Sequence, residues 1–336
     1  MIGVVIVTYC SSDVIAACLD SLMCSERSDM RIILCDNASP DDTVAVIRAW
    51  GRAHPGYLSE IDATDTGYLC KSFCTPITLM CLRENRGFAG GVNAGLRVLL
   101  AHPQVSLFWL LNPDSEVLPD TAAAYERRAA EAGPFALMGG RTIYHEAPNL
   151  IQSDGGRINR WTGICHNVNQ GREPGETMPP DPRSLDFISG ANVVASRTFI
   201  EYAGLMREDY FLYWEEVDWA ARRGDMPLIL CPDAIVYHHG GTAIGTGSIT
   251  RRASGFANYF NCRNRMIFMC RFYPWTLPAA YVFSVLKIIK LLFAGALEEA
   301  GGAWRGLNQM APGANIRNRL EQPAAEQTFR ESRIVR

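Results

Sequence analysis

The sequence predicts an α/β protein organised on a doubly wound, mostly parallel sheet. Three patterns carry that expectation. Short apolar runs rich in β-branched residues recur along the first half of the chain, as buried parallel strands require. Segments with apolar residues at helical spacing alternate with them, which gives a βαβα rhythm. Several runs stop at small, hydroxyl-bearing or acidic residues, and open α/β sheets bind ligands at such strand ends. The 336 residues allow one large domain with additions, or two domains. With 48% hydrophobic and 20% charged residues the chain is globular rather than disordered. A net charge of -3 gives no global electrostatic basis for nucleic-acid binding.

Residues 2–7 form the first apolar run, ended by Thr8-Tyr9-Cys10-Ser11-Ser12, whose hydroxyls suit a helix cap or a ligand. The start of the chain lacks a basic region and a small-residue cleavage site, so it reads as a strand and not as a signal peptide. A helix is expected over 13–23, and a second strand over 31–35. That strand stops at Asp36-Asn37-Ala38-Ser39, an acidic turn leading into a helix that runs to Trp50. Residues 52–76 break the rhythm and are expected to be an insertion containing a short hairpin. Ile77–Leu82 resumes as a strand. The stretch Glu84-Asn85-Arg86-Gly87-Phe88-Ala89-Gly90-Gly91-Val92-Asn93-Ala94-Gly95 then opens a helix. Its glycines permit close approach of backbone N–H groups to anionic oxygens, or simply a tight turn into a Gly-rich helix. The spacing is neither Gly-x-Gly-x-x-Gly nor a phosphate-loop motif.

The next strand, 107–111, ends at Asn112-Pro113-Asp114-Ser115-Glu116. A buried strand presenting Asp-x-Glu at its carboxyl end suits a hard divalent cation, although Asn-Pro and Asp-Ser are also ordinary turn chemistry. A helix is expected over 120–132 and a strand over 136–144. Residues 145–185 are loop-rich with short antiparallel strands, the character of an acceptor-facing or lid region. Asp186–Ala195 reads as a strand whose small-residue centre leaves room for a ligand. Glu215, Glu216 and Asp218 follow an aromatic run at a helix start. First-turn acids complement the helix dipole, while aromatic surroundings would also raise a carboxyl pKa toward that of a general base. His238 and His239 end a further strand. Residues 259–271 are basic and aromatic, which suits nucleic acid, a phosphate-rich small molecule or an anionic lipid headgroup. From Tyr273 to Leu286 there is no charge. Lys287 and Lys290 then fall on one helical face, as in an amphipathic helix lying on a membrane surface or packed on the domain. Eleven scattered cysteines without a Cys-x-x-Cys pair suit a reducing cytosol.

In this order, Val5–Tyr9, Cys35–Ser39, Glu84–Asn93, Leu111–Asp114, Phe187–Gly190, Tyr213–Asp218, His238 and Arg263-Asn264 resemble family 2 glycosyltransferases of the GT-A fold. The likeness is to the rhamnosyltransferase-like branch of bacterial surface polysaccharide synthesis. The resemblance covers about residues 2–272. It implies a GT-A domain over 1–271, with a small antiparallel acceptor-side part. C-terminal helices would follow: an amphipathic, membrane-associated segment over 272–300 and a loose tail over 301–336. It implies an inverting, metal-dependent transferase that uses a nucleotide-diphosphate sugar (dTDP-rhamnose, or a UDP-sugar) with Mg2+ or Mn2+. The acceptor would be a glycan or polyprenyl-linked hydroxyl at the cytoplasmic face of the plasma membrane. No nucleic-acid partner is implied, and a homo-oligomer is compatible.

The site residues implied for the donor are Thr8, Tyr9, Asp36, Asn85, Gly87, Gly91, Asn93, Asn112 and Arg263. Those for the metal are Asp114, Glu116 and His238. The base is Glu216, with Glu215 and Asp218 orienting it. Two positions depart from the family's pattern. Glu215-Glu216 stands where Glu-Asp is usual, which sets the acceptor back by a methylene. Ala243, beside Thr242, replaces a serine five residues after His238. The altered acid pair keeps one other reading open, a non-catalytic nucleotide-sugar-binding or scaffold subunit of a polysaccharide assembly complex.

Overall fold

The computed structural model describes residues 1–26, 29–62, 75–240 and 252–317. Cys70, Cys74, Thr242, Ala243 and most of the expected tail lie outside them. The parallel half of the sheet follows the predicted rhythm. Strand β1 (Ile2–Thr8) leads to helix α1 (Ile15–Met23), β2 (Arg31–Asp36) to α2 (Thr43–Ala53), β4 (Ile77–Cys81) to α3 (Gly87–Leu100), and β5 (Leu107–Leu111) follows. Within 52–76, β3 (Leu58–Asp62) pairs parallel to β4 and forms the sheet edge. Strands β1, β2 and β5 are almost wholly buried, which explains their continuous apolar runs.

Beyond β5 the sheet becomes mixed. The remaining strands are β6 (Ser115–Val117), β7 (Leu137–Tyr144), β8 (Ile151–Ser153), β11 (Asn192–Ser196) and β12 (Leu228–His238). The order is β3-β4-β2-β1-β5-β11-β7-β12-β6, with β8 paired to β7. β11 runs antiparallel to both β5 and β7. It is shorter than the predicted strand because the chain turns first, where the Asn192 amide donates to the Ser189 carbonyl at 3.2 Å. A separate antiparallel pair, β9 (Gly156–Asn159) and β10 (Ile164–Asn167), occupies the predicted loop-rich region. The fold class is therefore the expected one.

Apolar side chains fill both faces of the sheet. Helix α4 (Thr121–Ala132) lies on one face. On the other, α3 approaches β1 closely enough to require glycine. A Cβ on Gly91 would stand 2.5 Å from Val7 Cγ1, and one on Gly95 would stand 2.7 Å from Val5 Cγ1. Two short helices, α5 (Arg197–Ala203) and α6 (Glu215–Ala221), precede β12. The C-terminal part is helical: α7 (Gly255–Phe272), α8 (Leu277–Phe293), α9 (Leu297–Leu307) and α10 (Ala314–Arg317). Helix α9 crosses the expected boundary at 300, so residues 301–307 of the segment expected to be a loose tail are helical. Gly302 and Gly306 let it contact α7, since added Cβ atoms would meet Gly255 and Tyr259 carbonyl oxygens at 2.2 and 2.1 Å. Gly95→Val is expected to lower unfolding free energy in urea by about 1–3 kcal/mol, the usual cost of overpacking.

Candidate functional site

A cleft of about 370 Å³ opens at the carboxyl ends of β1, β2 and β5. Tyr9, Cys10 and Ser11 follow β1 along one wall, with Asn37, Asn85, Gly87 and Phe88 beside them. Asn37 and Asn85 form a buried latch. The Asn37 amide donates to Asn85 Oδ1 and to the Gly87 carbonyl, both at 2.9 Å. Asn85 Oδ1 also accepts from the Gly87 amide at 2.9 Å. This latch fixes the start of α3. Gly87 has φ +72°, and a Cβ there would lie 2.2 Å from the Phe211 carbonyl oxygen, so only glycine fits. Asp36 is buried beneath this wall. It accepts from Thr8 Oγ1 at 2.9 Å and Ser39 Oγ at 2.6 Å, tying the β1 and β2 turns together.

Asp114 and His238 meet on the opposite wall, with Oδ1 and Nε2 3.1 Å apart. The His238 Nδ1 lies 2.6 Å from Gln152 Oε1, so a hydrogen on Nδ1 donates to that oxygen and fixes the ring. Asn112 Nδ2 is 3.1 Å from the same Nε2. Burial pushes the Asp114 carboxyl up, but the charge and hydrogen bond of His238 outweigh it and hold the group below its ordinary value. Glu116 faces elsewhere: its Oε1 is 3.0 Å from His145 Nε2, and the His145 ring stacks on His239 at 3.7 Å. Glu116, His145 and His239 bring potential ligand atoms within 4.8 Å of one another. His239 joins the two groups, because it lines the cleft and its amide donates to the Asp114 carbonyl. A carboxylate-and-imidazole donor set of this kind fits a divalent cation. The 3.1 Å spacing of Asp114 and His238 is about that of neighbouring ligands around an octahedral ion with ~2.1 Å bonds.

The third wall is a strained turn. Phe211, Tyr213 and Trp214 all have left-handed φ, at 64°, 66° and 80°. Such backbone persists only where surrounding contacts impose it. Here the buried Asn264 on α7 imposes it, with its Nδ2 within 2.8, 2.7 and 2.9 Å of the Tyr210, Leu212 and Tyr213 carbonyls. The Phe88 amide adds a bond to the Phe211 carbonyl at 2.8 Å. Glu215 and Glu216 leave this turn as the first residues of α6 and line the cleft. Burial and the neighbouring Glu216 hold the Glu215 carboxyl well above its ordinary value, and its Oε2 is buried without a partner among the described residues. Burial raises Glu216 to about 7.

A second cavity, of about 640 Å³, lies against α6, α7, α8 and the β9–β10 pair. Asn167, Ser189, Tyr213 and Glu216 line both cavities. Glu216 therefore stands at their junction. Gly190 leaves space there, since a Cβ would come only within 3.6 Å of Glu216 and Phe88.

Of the predicted residues, Tyr9, Asn85, Gly87, Asn112, Asp114, Glu215, Glu216 and His238 line one cleft. Others stand behind it. Gly91 packs on Val7, and Asn93 binds Met206 and Glu208. Asp218 accepts from Tyr210 Oη at 3.0 Å and from Arg222 Nε at 2.7 Å. Arg263 is buried and donates to the Asp209 carbonyl and to Asn264 Oδ1. Sequence reasoning missed Gln152 and Asn167, which lie in loop-rich sequence without periodicity, and did not single out Ser189 within the predicted strand 186–195. It also missed Arg265, whose separation from Arg263 on α7 turns it to the second cavity.

Comparisons with known proteins bear on the fold and the activity. The sequence model described as "Glycosyl transferase family 2" matches residues 3–58. An N-acetylglucosaminyl-diphospho-decaprenol L-rhamnosyltransferase of Mycobacterium tuberculosis is 27% identical over 252 residues, 71% of this chain and 76% of that one. A low-salt glycan biosynthesis hexosyltransferase, Agl10 of Haloferax volcanii, is 24% identical over 188 residues, 54% of this chain and 57% of that one. A mannosyltransferase from Pyrobaculum calidifontis, solved with GDP-Man and Mn2+, superposes with a TM-score of 0.51 at 15% identity. That match covers 99% of this chain and 87% of the other, and it shows the GT-A fold. Together the matches support glycosyltransferase activity.

Two variants test the architecture of the turn. Asn264→Ala deprives three carbonyls of their donor and is expected to cost about 1–3 kcal/mol in urea unfolding. Glu215 has a folded-state pKa above its unfolded value, so its contribution is full below about pH 4.3 and is lost as pH rises through the folded value. Glu215→Gln removes that loss, and its melting temperature relative to wild type is expected to increase as pH is raised from about 5 to 8.

Proposed function

We propose that this chain, a rhamnosyltransferase-like family 2 glycosyltransferase, transfers a sugar from a nucleotide-diphosphate donor to a hydroxyl of a lipid-linked glycan, inverting the anomeric carbon. The observation that carries the reading is the position of Glu216, shared by two cavities of different character. The cleft holding Asp114 and His238 would take the nucleotide-sugar, and the other cavity the acceptor. Residues 1–271 would form the catalytic unit.

In this reading the walls formed by Tyr9, Cys10 and Ser11 and by Asn37, Asn85, Gly87 and Phe88 bind the nucleoside, while Asp36 and Thr8 hold their turns from beneath. Arg263 and Asp218 keep the turn and α6 in place. The acceptor oxygen attacks the anomeric carbon from the side of Glu216, and the bond from that carbon to the diphosphate oxygen breaks on the opposite side. Glu216 takes the hydroxyl proton. The electron pair of the broken bond leaves with the nucleoside diphosphate. Asp114 and His238 would hold a divalent cation, with the Glu116–His145–His239 cluster adjoining; such an ion supplies positive charge to the departing diphosphate. A base raised to about 7 is suited to a proton transfer at neutral pH. Glu215, kept neutral by burial and by Glu216, would prevent a second negative charge from accumulating beside the base.

The named activity of the mycobacterial relative favours dTDP-rhamnose as donor, with UDP-sugars as the alternative. The same name, together with the apolar α8, favours a polyprenyl-linked acceptor and a peripheral position at the cytoplasmic membrane face. Glu216→Gln is expected to reduce transfer at least ~10³-fold while leaving Mn2+-dependent nucleotide binding within about twofold of wild type. Activity within tenfold of wild type would remove Glu216 from the reaction. Screening dTDP- and UDP-sugars for release of nucleoside diphosphate with Mg2+ or Mn2+ is expected to identify one preferred donor, with the release abolished by chelation.

A further inference from the structure

The second cavity contains a buried cation without an anion. Arg265 is 5% exposed. Its Nη2 bonds only neutral groups, Ser284 Oγ at 2.5 Å and Cys262 Sγ at 3.9 Å. Its Nε is buried with no hydrogen-bond partner among the described residues. No carboxylate pairs with it among those residues, although buried guanidinium groups normally have one. Lys287 and Lys290 of α8 line the same cavity. The protein around Lys287 lowers its pKa by desolvation, with Arg265 adding to the effect. Three cationic side chains thus line one space that Glu216 also lines.

The same cavity opens onto hydrocarbon-like surface. Phe283 and Leu286 belong both to its lining and to the exposed side of α8. That side continues through Val282, Ile289, Leu292 and Phe293, which is 90% exposed. Residues 274–293 are long and apolar enough to cross a membrane by length and composition, with only 17% of the window buried in the protein. A span would carry Lys287 and Lys290 into the hydrocarbon, whereas a surface position lets them reach phosphate.

We propose that this cavity is the acceptor's phosphate site. Arg265 and Lys287, with Lys290 at the rim, bind the phosphate or diphosphate of a prenyl-linked sugar, and its hydrocarbon chain leaves along Phe283 and Leu286 onto the exposed face of α8. The inference rests on the transferase reading for the role of Glu216, and adds where the acceptor's charge and lipid sit. An acceptor bound in this way places its sugar between the cations and Glu216, so recognition of the carrier and selection of the attacking hydroxyl occur in one cavity.

Calorimetric titration of the full chain with farnesyl diphosphate tests the proposal, since it has both the charge and a short prenyl chain and needs no turnover. Wild type is expected to bind it at least about tenfold more tightly than inorganic pyrophosphate. Lys287→Ala is expected to weaken farnesyl diphosphate about tenfold, the order of one charge-assisted hydrogen bond, and Lys287→Arg to restore it. Leu286→Ser is expected to weaken farnesyl diphosphate while leaving pyrophosphate unchanged. UDP or dTDP binding should stay the same in all three variants. Equal affinity for the prenyl and inorganic diphosphates would overturn the lipid assignment. Unchanged affinity in Lys287→Ala, or displacement of farnesyl diphosphate by nucleotide, would overturn the site. If no donor supports transfer yet these affinities hold, the transferase reading fails alone. If transfer proceeds and these affinities do not respond, only the present inference falls.

Discussion

The contact on which the catalytic side depends is the one between Asn264 and the turn before α6. One buried side-chain amide faces three carbonyls and holds backbone that includes three left-handed residues without glycine. Released from that contact, Phe211, Tyr213 and Trp214 would return to more favourable φ values, and the start of α6 would move. Arg263 supports the same turn through the Asp209 carbonyl and Asn264 Oδ1. Gly87 admits the Phe211 carbonyl against the first turn of α3. The donor-side helix and the acidic turn are therefore built against each other, and the position of Glu216 follows from both.

This coupling divides the electrostatics of the molecule. His238 holds the Asp114 carboxyl below its ordinary value, so that carboxyl stays ionised. Burial holds the protons of Glu215 and Glu216 more tightly, and at Glu215 the neighbouring Glu216 adds to it. Two acid groups on one cleft are thus set to opposite tasks by their surroundings: one suited to a cation, the other to accepting a proton. Arg265 and Lys287 line the other cavity that Glu216 borders, outside the cleft that holds Asp114.

Much of the frame was legible in the sequence because burial leaves a periodic signature. The runs at 2–7, 31–35 and 107–111 became central strands, and their polar ends line or underlie the cleft. The acids at 114, 215 and 216 were legible for the same reason, since each follows directly on an apolar or aromatic run. Direction of a side chain was not legible. Glu116 turns to His145, and Gly91 and Asn93 serve helix packing, because a spacing pattern does not state which face meets the ligand. Arg263 and Arg265 show this most clearly: two residues apart on one helix, the first clamps the turn and the second enters a cavity. The polar contributors Gln152 and Asn167 come from irregular sequence, and only the tertiary fold brings them to the cleft that Glu216 lines.

The central claim is that Glu216 is the proton acceptor at the meeting of the two cavities. The pH dependence of kcat/KM for sugar transfer by the wild-type protein tests it most directly. A base raised to about 7 must lose its proton to act, so the rate is expected to climb about tenfold per pH unit below that value and to level off above it. A profile that is flat between about pH 5.5 and 8.5, or that falls as pH rises through 7, would contradict the account.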